Sequence, residues 1–263
     1  MNKHIISQLR NQHPIVFTIV NTVTSGKVAD GLSALGISPI MSLQPTEALE
    51  LAKLAQAVVI NLGTPYQPLE AEFDNGAAAA NQSGTPLVLD PVACGSTAYR
   101  AQLARQLLDQ YAFTIIRGNA GEIAALAGEQ WESHGIDAGS GKKDQAEVAR
   151  RCAHLYQCVV VLSGKEDIIT DGKAIYRNQC STPWLATNVG SGDLLSSTIG
   201  ALLGVGVAPL IAGLIGCRII TTAGTKAAQG ANGLGSWQVR FLDALSNFSD
   251  QDLMIERILT DDE

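Results

Sequence analysis

AQAVVINLG, residues 55–63, is the stretch whose reading decides the fold. Val58, Val59 and Ile60 follow one another with no polar residue between them, and an asparagine then ends the run. A strand with one wet face alternates apolar and polar residues, whereas a strand covered on both faces does not. PIVFTIV (14–20), PLVLDP (86–91), FTIIRGN (113–119) and CVVVLSG (158–164) read the same way. Helical runs separate them: SGKVADGLSALG (25–36), LEAEFDNGAAAANQSG (69–84), TAYRAQLARQLLDQY (97–111), AGEIAALAG (120–128) and KDQAEVARRCAHLYQ (143–157). Strands alternating with helices give an α/β fold: a mostly parallel central sheet with helices on both faces, in three α/β/α layers. DIITDGKAIYRN (167–178) reads as a hairpin about Asp171-Gly172, and everything after residue 190 reads as helical. The chain is taken as one domain over 1–263, with ESHGIDAGSGKKDQ (132–145) as an internal loop.

Parallel sheets bind ligands at the carboxyl ends of their strands. Each apolar run here ends on a polar residue at that edge: Asn21, Asn61, Asp90, Arg117 with Asn119 and Glu122, and Ser163. A single example is read equally well as a turn former or a helix cap. Five at one edge form a candidate site.

TNVGSGDLLSS (187–197) adds a second kind of signal. A helix starting at Gly190 to Gly192 offers free N–H groups and the positive end of a dipole, which together make an anion site. Asp193 in the first turn repels that anion unless it serves a second substrate. A kinase needs this pairing, with donors for the moving phosphoryl group and a base for the attacking hydroxyl. Ser191 and Gly192 are assigned to the anion hole and Asp193 to the base. Walker A, GxxxxGK[ST], is absent, and no acid follows Asp193 until Asp243, which argues against a dinucleotide fingerprint. Phosphoryl transfer also calls for Mg²⁺ on one or two carboxylates. Asp90 and Glu122 are the candidates, and Arg117 can neutralise nucleotide phosphates. Asp90 as a turn former and Glu122 as a helix-end charge remain open.

Composition narrows the classes. The formal net charge is −7 with no basic cluster, which argues against nucleic-acid binding. The cysteine count is odd, at five, with no CxxC, and the four histidines lack zinc spacing, so reduced thiols in a cytoplasmic protein are expected. MNKHIISQLRNQHP has no apolar core and does not read as a signal peptide. Leu194 to Cys217 is uncharged and long enough to span a bilayer. Its five glycines and Pro209 instead give two buried helices joined by a turn, and no membrane partner is expected.

Six stretches together resemble the hydroxyethylthiazole kinases of thiamine salvage, in the ribokinase-like superfamily. They are IVNTVTSGKVADGLSALGISPIM (19–41), VVINLGT (58–64), GTPLVLDPVACGSTAYR (84–100), IIRGNAGEIAALAG (115–128), VVVLSGKEDIITDG (159–172) and NVGSGDLLSS (188–197). The resemblance implies an ATP- and Mg²⁺-dependent kinase acting on the alcohol of 4-methyl-5-(2-hydroxyethyl)thiazole. It implies that Met41 and Gly190 contact the thiazole, that Arg117 and Ser163 bind ATP, and that Asp90 and Glu122 serve Mg²⁺. Asn21 and Asn119, at their strand ends, are assigned to the alcohol and the nucleotide respectively. It also implies a homotrimer with active sites between subunits, which fits an Ala/Gly-rich, apolar chain. Four departures stand out: Asp193 where the family commonly has cysteine, Ser163 for threonine, Asp30 for asparagine, and CSTPWLAT (180–187) for a GHP-containing stretch. Two rival classes share features: nucleotide-dependent dehydratases that repair hydrated nicotinamide cofactors, and a non-catalytic binder of thiamine precursors.

Overall fold

The computed structural model describes residues 4–65, 67–131, 144–254 and 259–260. Its strands are β1 Ile15–Ile19, β2 Ser38–Ile40, β3 Ala57–Asn61, β4 Leu87–Asp90, β5 Ile115–Asn119, β6 Val159–Ser163, β7 Asp167–Thr170, β8 Ile175–Asn178 and β9 Leu259–Thr260. They form one sheet in the order β2-β1-β3-β4-β5-β6-β7-β8-β9. Neighbours from β2 to β6 pair in parallel, and those from β6 to β9 pair antiparallel. The helices are α1 Ile5–Gln12, α2 Ser25–Ala34, α3 Ala48–Leu54, α4 Gln67–Ser83, α5 Ala98–Gln110, α6 Ala120–Leu126, α7 Gln145–Tyr156, α8 Pro183–Thr187, α9 Ser191–Gly204, α10 Pro209–Ala228 and α11 Leu234–Ser246.

The sheet divides two cores, which explains the unbroken apolar runs. Val58, Ile60, Leu87, Leu89, Ile116, Val160 and Leu162 face the layer that holds α3 to α7. Val59, Val88, Ile115 and Val161 face the layer of α1, α2, α9, α10 and α11. Successive side chains point to opposite faces of a strand, and here both faces are dry. The expected three-layer α/β architecture is the one observed.

The uncharged run from Leu194 folds as α9 and α10 with a short turn between them. By length and composition α10 is able to cross a membrane, but most of it is buried inside the protein, against α9, α11, β6 and β7. The hairpin forms where Asp171-Gly172 marked it: Gly172 has φ +93°, and Asp171 accepts from the N–H groups of Lys173 and Ala174.

The structure corrects the reading of the last segment as all helical. After α11 the chain makes a 3₁₀ turn, Asp250–Met254, and then β9 pairs with β8. The open edge of β8 presents unpaired backbone groups, and these take up a strand in preference to a closing helix. At the opposite edge, β2 carries Pro39, which an edge strand tolerates because it has a side that needs no N–H donor. Most of the 132–145 loop lies outside the described residues.

Candidate active site

The strand-end residues converge. Asn61 and Asp90 sit side by side in the β3–β4 register, and Asn119 and Ser163 in the β5–β6 register. Asn21, just past β1, donates its Nδ2 to Asn61 Oδ1 at 3.0 Å. Asn61 Nδ2 in turn donates to Asp90 Oδ2 at 3.0 Å. Arg117 reaches Asp90 Oδ2 through Nη1 at 3.5 Å and Ser163 Oγ through Nη2 at 2.5 Å. Side chains from β1, β3, β4, β5 and β6 thus form one hydrogen-bonded row.

The start of α9 closes the row into a ring. Asp193 Oδ2 accepts from Asn21 Nδ2 at 2.7 Å and from the Thr24 hydroxyl. One helical turn on, the Ser196 hydroxyl donates to Asp90 Oδ2 at 2.8 Å. Residues three apart share a helix face, so Asp193 and Ser196 grip the two ends of the Asn21–Asn61–Asp90 chain. Gly63 makes room for it: a Cβ there would lie 2.7 Å from Asn21 side-chain atoms.

Gly190 caps α9 with φ +99°, a conformation glycine adopts at little cost. The Ser191 N–H already donates to the Asn188 carbonyl at 3.1 Å. The anion hole read at 190–193 therefore rests on the N–H groups of Gly192 and Asp193. Arg117 lies directly over Gly192, where an added Cβ would fall 2.3 Å from Nη1. The clash is with the tip of a flexible side chain, so the fold tolerates a methyl there with the guanidinium shifted away from Gly192 while its charge stays beside Asp90. Gly192→Ala should raise the KM for ATP about tenfold, by loss of a charge-assisted contact. Its thermal midpoint should stay within a few degrees of the parent, and an unchanged KM would mean that Arg117 does not meet the nucleotide.

Three carboxylates surround this one guanidinium. Burial pushes the Asp90 carboxyl up to about 7; Arg117 pulls it back, and the charges of Asp193 and Glu122 push it up again. Burial likewise raises Glu122 against the pull of Arg117 and two backbone N–H groups. Burial works to lower Arg117, but Asp90, Glu122 and Asp193 outweigh it and hold the guanidinium above its usual range. The local balance is negative, and Asp90 Oδ1 is buried without a hydrogen-bond partner. Glu122 Oε1 accepts from Ala93 N–H at 2.8 Å, and Oε2 accepts from Asn119 N–H at 2.7 Å. The second bond is half of a capping box, with the Asn119 side chain accepting from Glu122 N–H. Ala93 adopts φ +58°, a strained value for a residue with a Cβ, to deliver its N–H. Among the described residues no group of three His, Cys, Asp or Glu side chains is placed to hold a metal ion alone. Mg²⁺ characteristically takes one or two carboxylates together with phosphates and water, so this donor set fits it.

Among the described residues, Met41 and Gly190 line different cavities. Met41 lines one of about 360 Å³ with Val20, Thr22, Ser25 and Ala29. Gly190 lines another of about 180 Å³ with Lys27, Asp30, Gln238 and Phe241. Helix α2 contributes Ser25 and Ala29 to the first and Lys27 and Asp30 to the second. Sequence reasoning missed Thr24 and Ser196. The signal for Ser196 was its spacing from Asp193. It also missed Arg100, which ties the loops after β3 and β4 by donating to Val92 O at 3.0 Å and Gly63 O at 2.8 Å.

Residues 6–251 match the hydroxyethylthiazole kinase family. A hydroxyethylthiazole kinase of Limosilactobacillus reuteri is 46% identical over 246 residues, covering 94% of this chain and 91% of its own. That of Haemophilus influenzae is 41% identical over 251 residues, 95% of either chain. The solved hydroxyethylthiazole kinase structure from Pyrococcus horikoshii superposes with a TM-score of 0.89 at 28% identity, covering 97% of both chains. Pyridoxal kinase of Bacillus subtilis shares the fold, with a TM-score of 0.61 at 17% identity, 81% of this chain and 92% of that one. With a parallel-sheet edge, a glycine-capped helix and a family match running nearly end to end, the chain belongs to the hydroxyethylthiazole kinase family.

Proposed function

We propose that this protein transfers the γ-phosphoryl group of ATP to the primary alcohol of 4-methyl-5-(2-hydroxyethyl)thiazole. The observation that carries the reading is the closed ring, which sets Asp193 at the mouth of α9 within the same network as Arg117. Asp193 takes the hydroxyl proton as the alcohol attacks, a role worth roughly 10² to 10⁴ in rate. The N–H groups of Gly192 and Asp193, with Arg117, stabilise charge on the moving phosphoryl group. Ser163 fixes Arg117, and the turn after it is held in place because Asp167 accepts from Gly164 N–H at 3.0 Å. Asn119 lies beside Ser163 at the nucleotide end of the row. Asp90 and Glu122 would hold Mg²⁺, which supplies charge neutralisation on the nucleotide phosphates.

The substrate cavities favour a homotrimer with sites between subunits. Leu43, which lines the Met41 cavity, is 51% exposed, and Val23, next in sequence to the lining residue Thr22, is 67% exposed. A neighbouring subunit covering them would bring a second wall to the thiazole that one protomer lacks. Cytoplasmic residence accords with five free cysteines, four of them buried.

The test is ADP release measured with 4-methyl-5-(2-hydroxyethyl)thiazole, with hydroxymethylpyrimidine and with hydrated nicotinamide dinucleotide, each with and without Mg²⁺. Mg²⁺-dependent turnover highest with the thiazole is expected. Turnover only with the hydrated dinucleotide would make the chain a repair dehydratase. Nucleotide consumption indifferent to any added alcohol would leave a binder.

A further inference from the structure

Thr24 stands at the N-cap of α2, the position where a threonine hydroxyl ordinarily accepts from the helix's own N–H groups. It makes no such capping bond. Only 2% exposed, it turns its hydroxyl away from α2 and donates to Asp193 Oδ2. A buried cap residue that leaves its own helix end unserved has a stronger claim on it elsewhere, and a hydrogen bond to a carboxylate is about twice as strong as a neutral one.

The second donor to Asp193 Oδ2 is locked as well. Asn21 Oδ1 accepts from the N–H groups of Val23 and Thr24 at 3.0 and 3.1 Å. The Asn21 amide therefore cannot invert, and its Nδ2 must point at Asp193 and Asn61. Two fixed donors converge on one carboxylate oxygen. Among the described residues no donor reaches the other, Oδ1. The Thr24 side chain also abuts Gly190, with its Cγ2 3.1 Å from where a Cβ there would sit.

We infer that Thr24 is a positioning residue for phosphoryl transfer: its hydroxyl, with the Asn21 amide, pins Oδ2 of Asp193 and so presents Oδ1 to the substrate alcohol. The inference rests on the kinase reading above, and it revises Asn21 from a substrate contact to a partner of the base. Without the pin, the carboxylate rotates about its Cβ–Cγ bond and loses the in-line aim that an oriented base contributes.

Valine and serine separate the two things Thr24 offers. Thr24→Val keeps the methyl beside Gly190 and deletes the hydroxyl, whereas Thr24→Ser keeps the hydroxyl and deletes the methyl. Steady-state ADP release with the thiazole alcohol should show kcat down roughly 10- to 100-fold in Thr24→Val, the range of one lost hydrogen bond to a charged group. Both KM values should stay within about twofold, and Thr24→Ser should keep kcat within about threefold. In an Asp193→Asn background, Thr24→Val should add almost nothing, because the two residues act as one unit. Thermal midpoints confirm that each variant is folded, and Thr24→Ala replaces Thr24→Val in the same comparison if the valine does not fold. A folded hydroxyl-less variant with parental kcat, or one altered in KM alone, overturns the inference and leaves the kinase reading standing. A parent enzyme that phosphorylates no small alcohol removes the kinase reading, and this inference falls with it.

Discussion

Asp193→Asn should lower kcat for thiazole phosphorylation by roughly 10² to 10⁴, the range for loss of a positioned general base. KM for ATP and for the alcohol stays within about threefold. Asparagine has nearly the shape of aspartate, and its carbonyl oxygen still accepts from Asn21 and Thr24, so the ring survives. What disappears is the proton acceptor alone. Rapid-quench measurement of a single turnover places the loss in the chemical step, free of product release. A fall of under threefold would mean that another group takes the proton, or that none needs to.

Arg117→Met carries the largest expected cost in stability. It removes the one cation among Asp90, Glu122 and Asp193, and breaking a buried pair costs about 3–5 kcal/mol because an uncompensated charge stays behind. The sign of the pH dependence follows from Asp90, whose folded-state pKa is raised to about 7, chiefly by burial. A carboxyl raised in this way favours the fold fully at pH values below its unfolded range near 4. That contribution is lost as pH rises through about 7. Arg117 pulls the Asp90 value down, so its removal extends the loss to higher pH. Urea unfolding of metal-free protein should show the full penalty at pH 8 and a much smaller one near pH 5, where Asp90 is protonated in the variant. An equal penalty at both values would show that Asp90 is not the charge left exposed to its surroundings.

The central strands could be read from residues 58–60, 87–89 and 159–162 because burial on both faces leaves no other pattern. Their polar ends could be read as a site because a parallel sheet puts all of them at one rim. The partners within that rim were harder to find. Ser196 and Thr24 look like ordinary helix residues in sequence, and only the closure of α9 onto β4 and α2 gives their hydroxyls an acceptor. The edge strands β2 and β9 escaped notice because three and two residues hold no periodicity, and their pairing is fixed by a neighbour's open edge. The separation of Met41 from Gly190 is a matter of which face of α2 each cavity meets, and no local pattern carries that.

The hydrogen-bonded ring has a kinetic corollary. Asn21 meets Asp193 across 172 residues of chain, and Asp90 meets Ser196 across 106. A locally folded segment alone cannot contain contacts of such sequence separation, and non-local pairing is intrinsically slow to form. The proposed base, Asp193, is therefore held in place only once these long-range contacts have closed. A half-built chain, newly made or partly denatured, should show no activity at all rather than a reduced one.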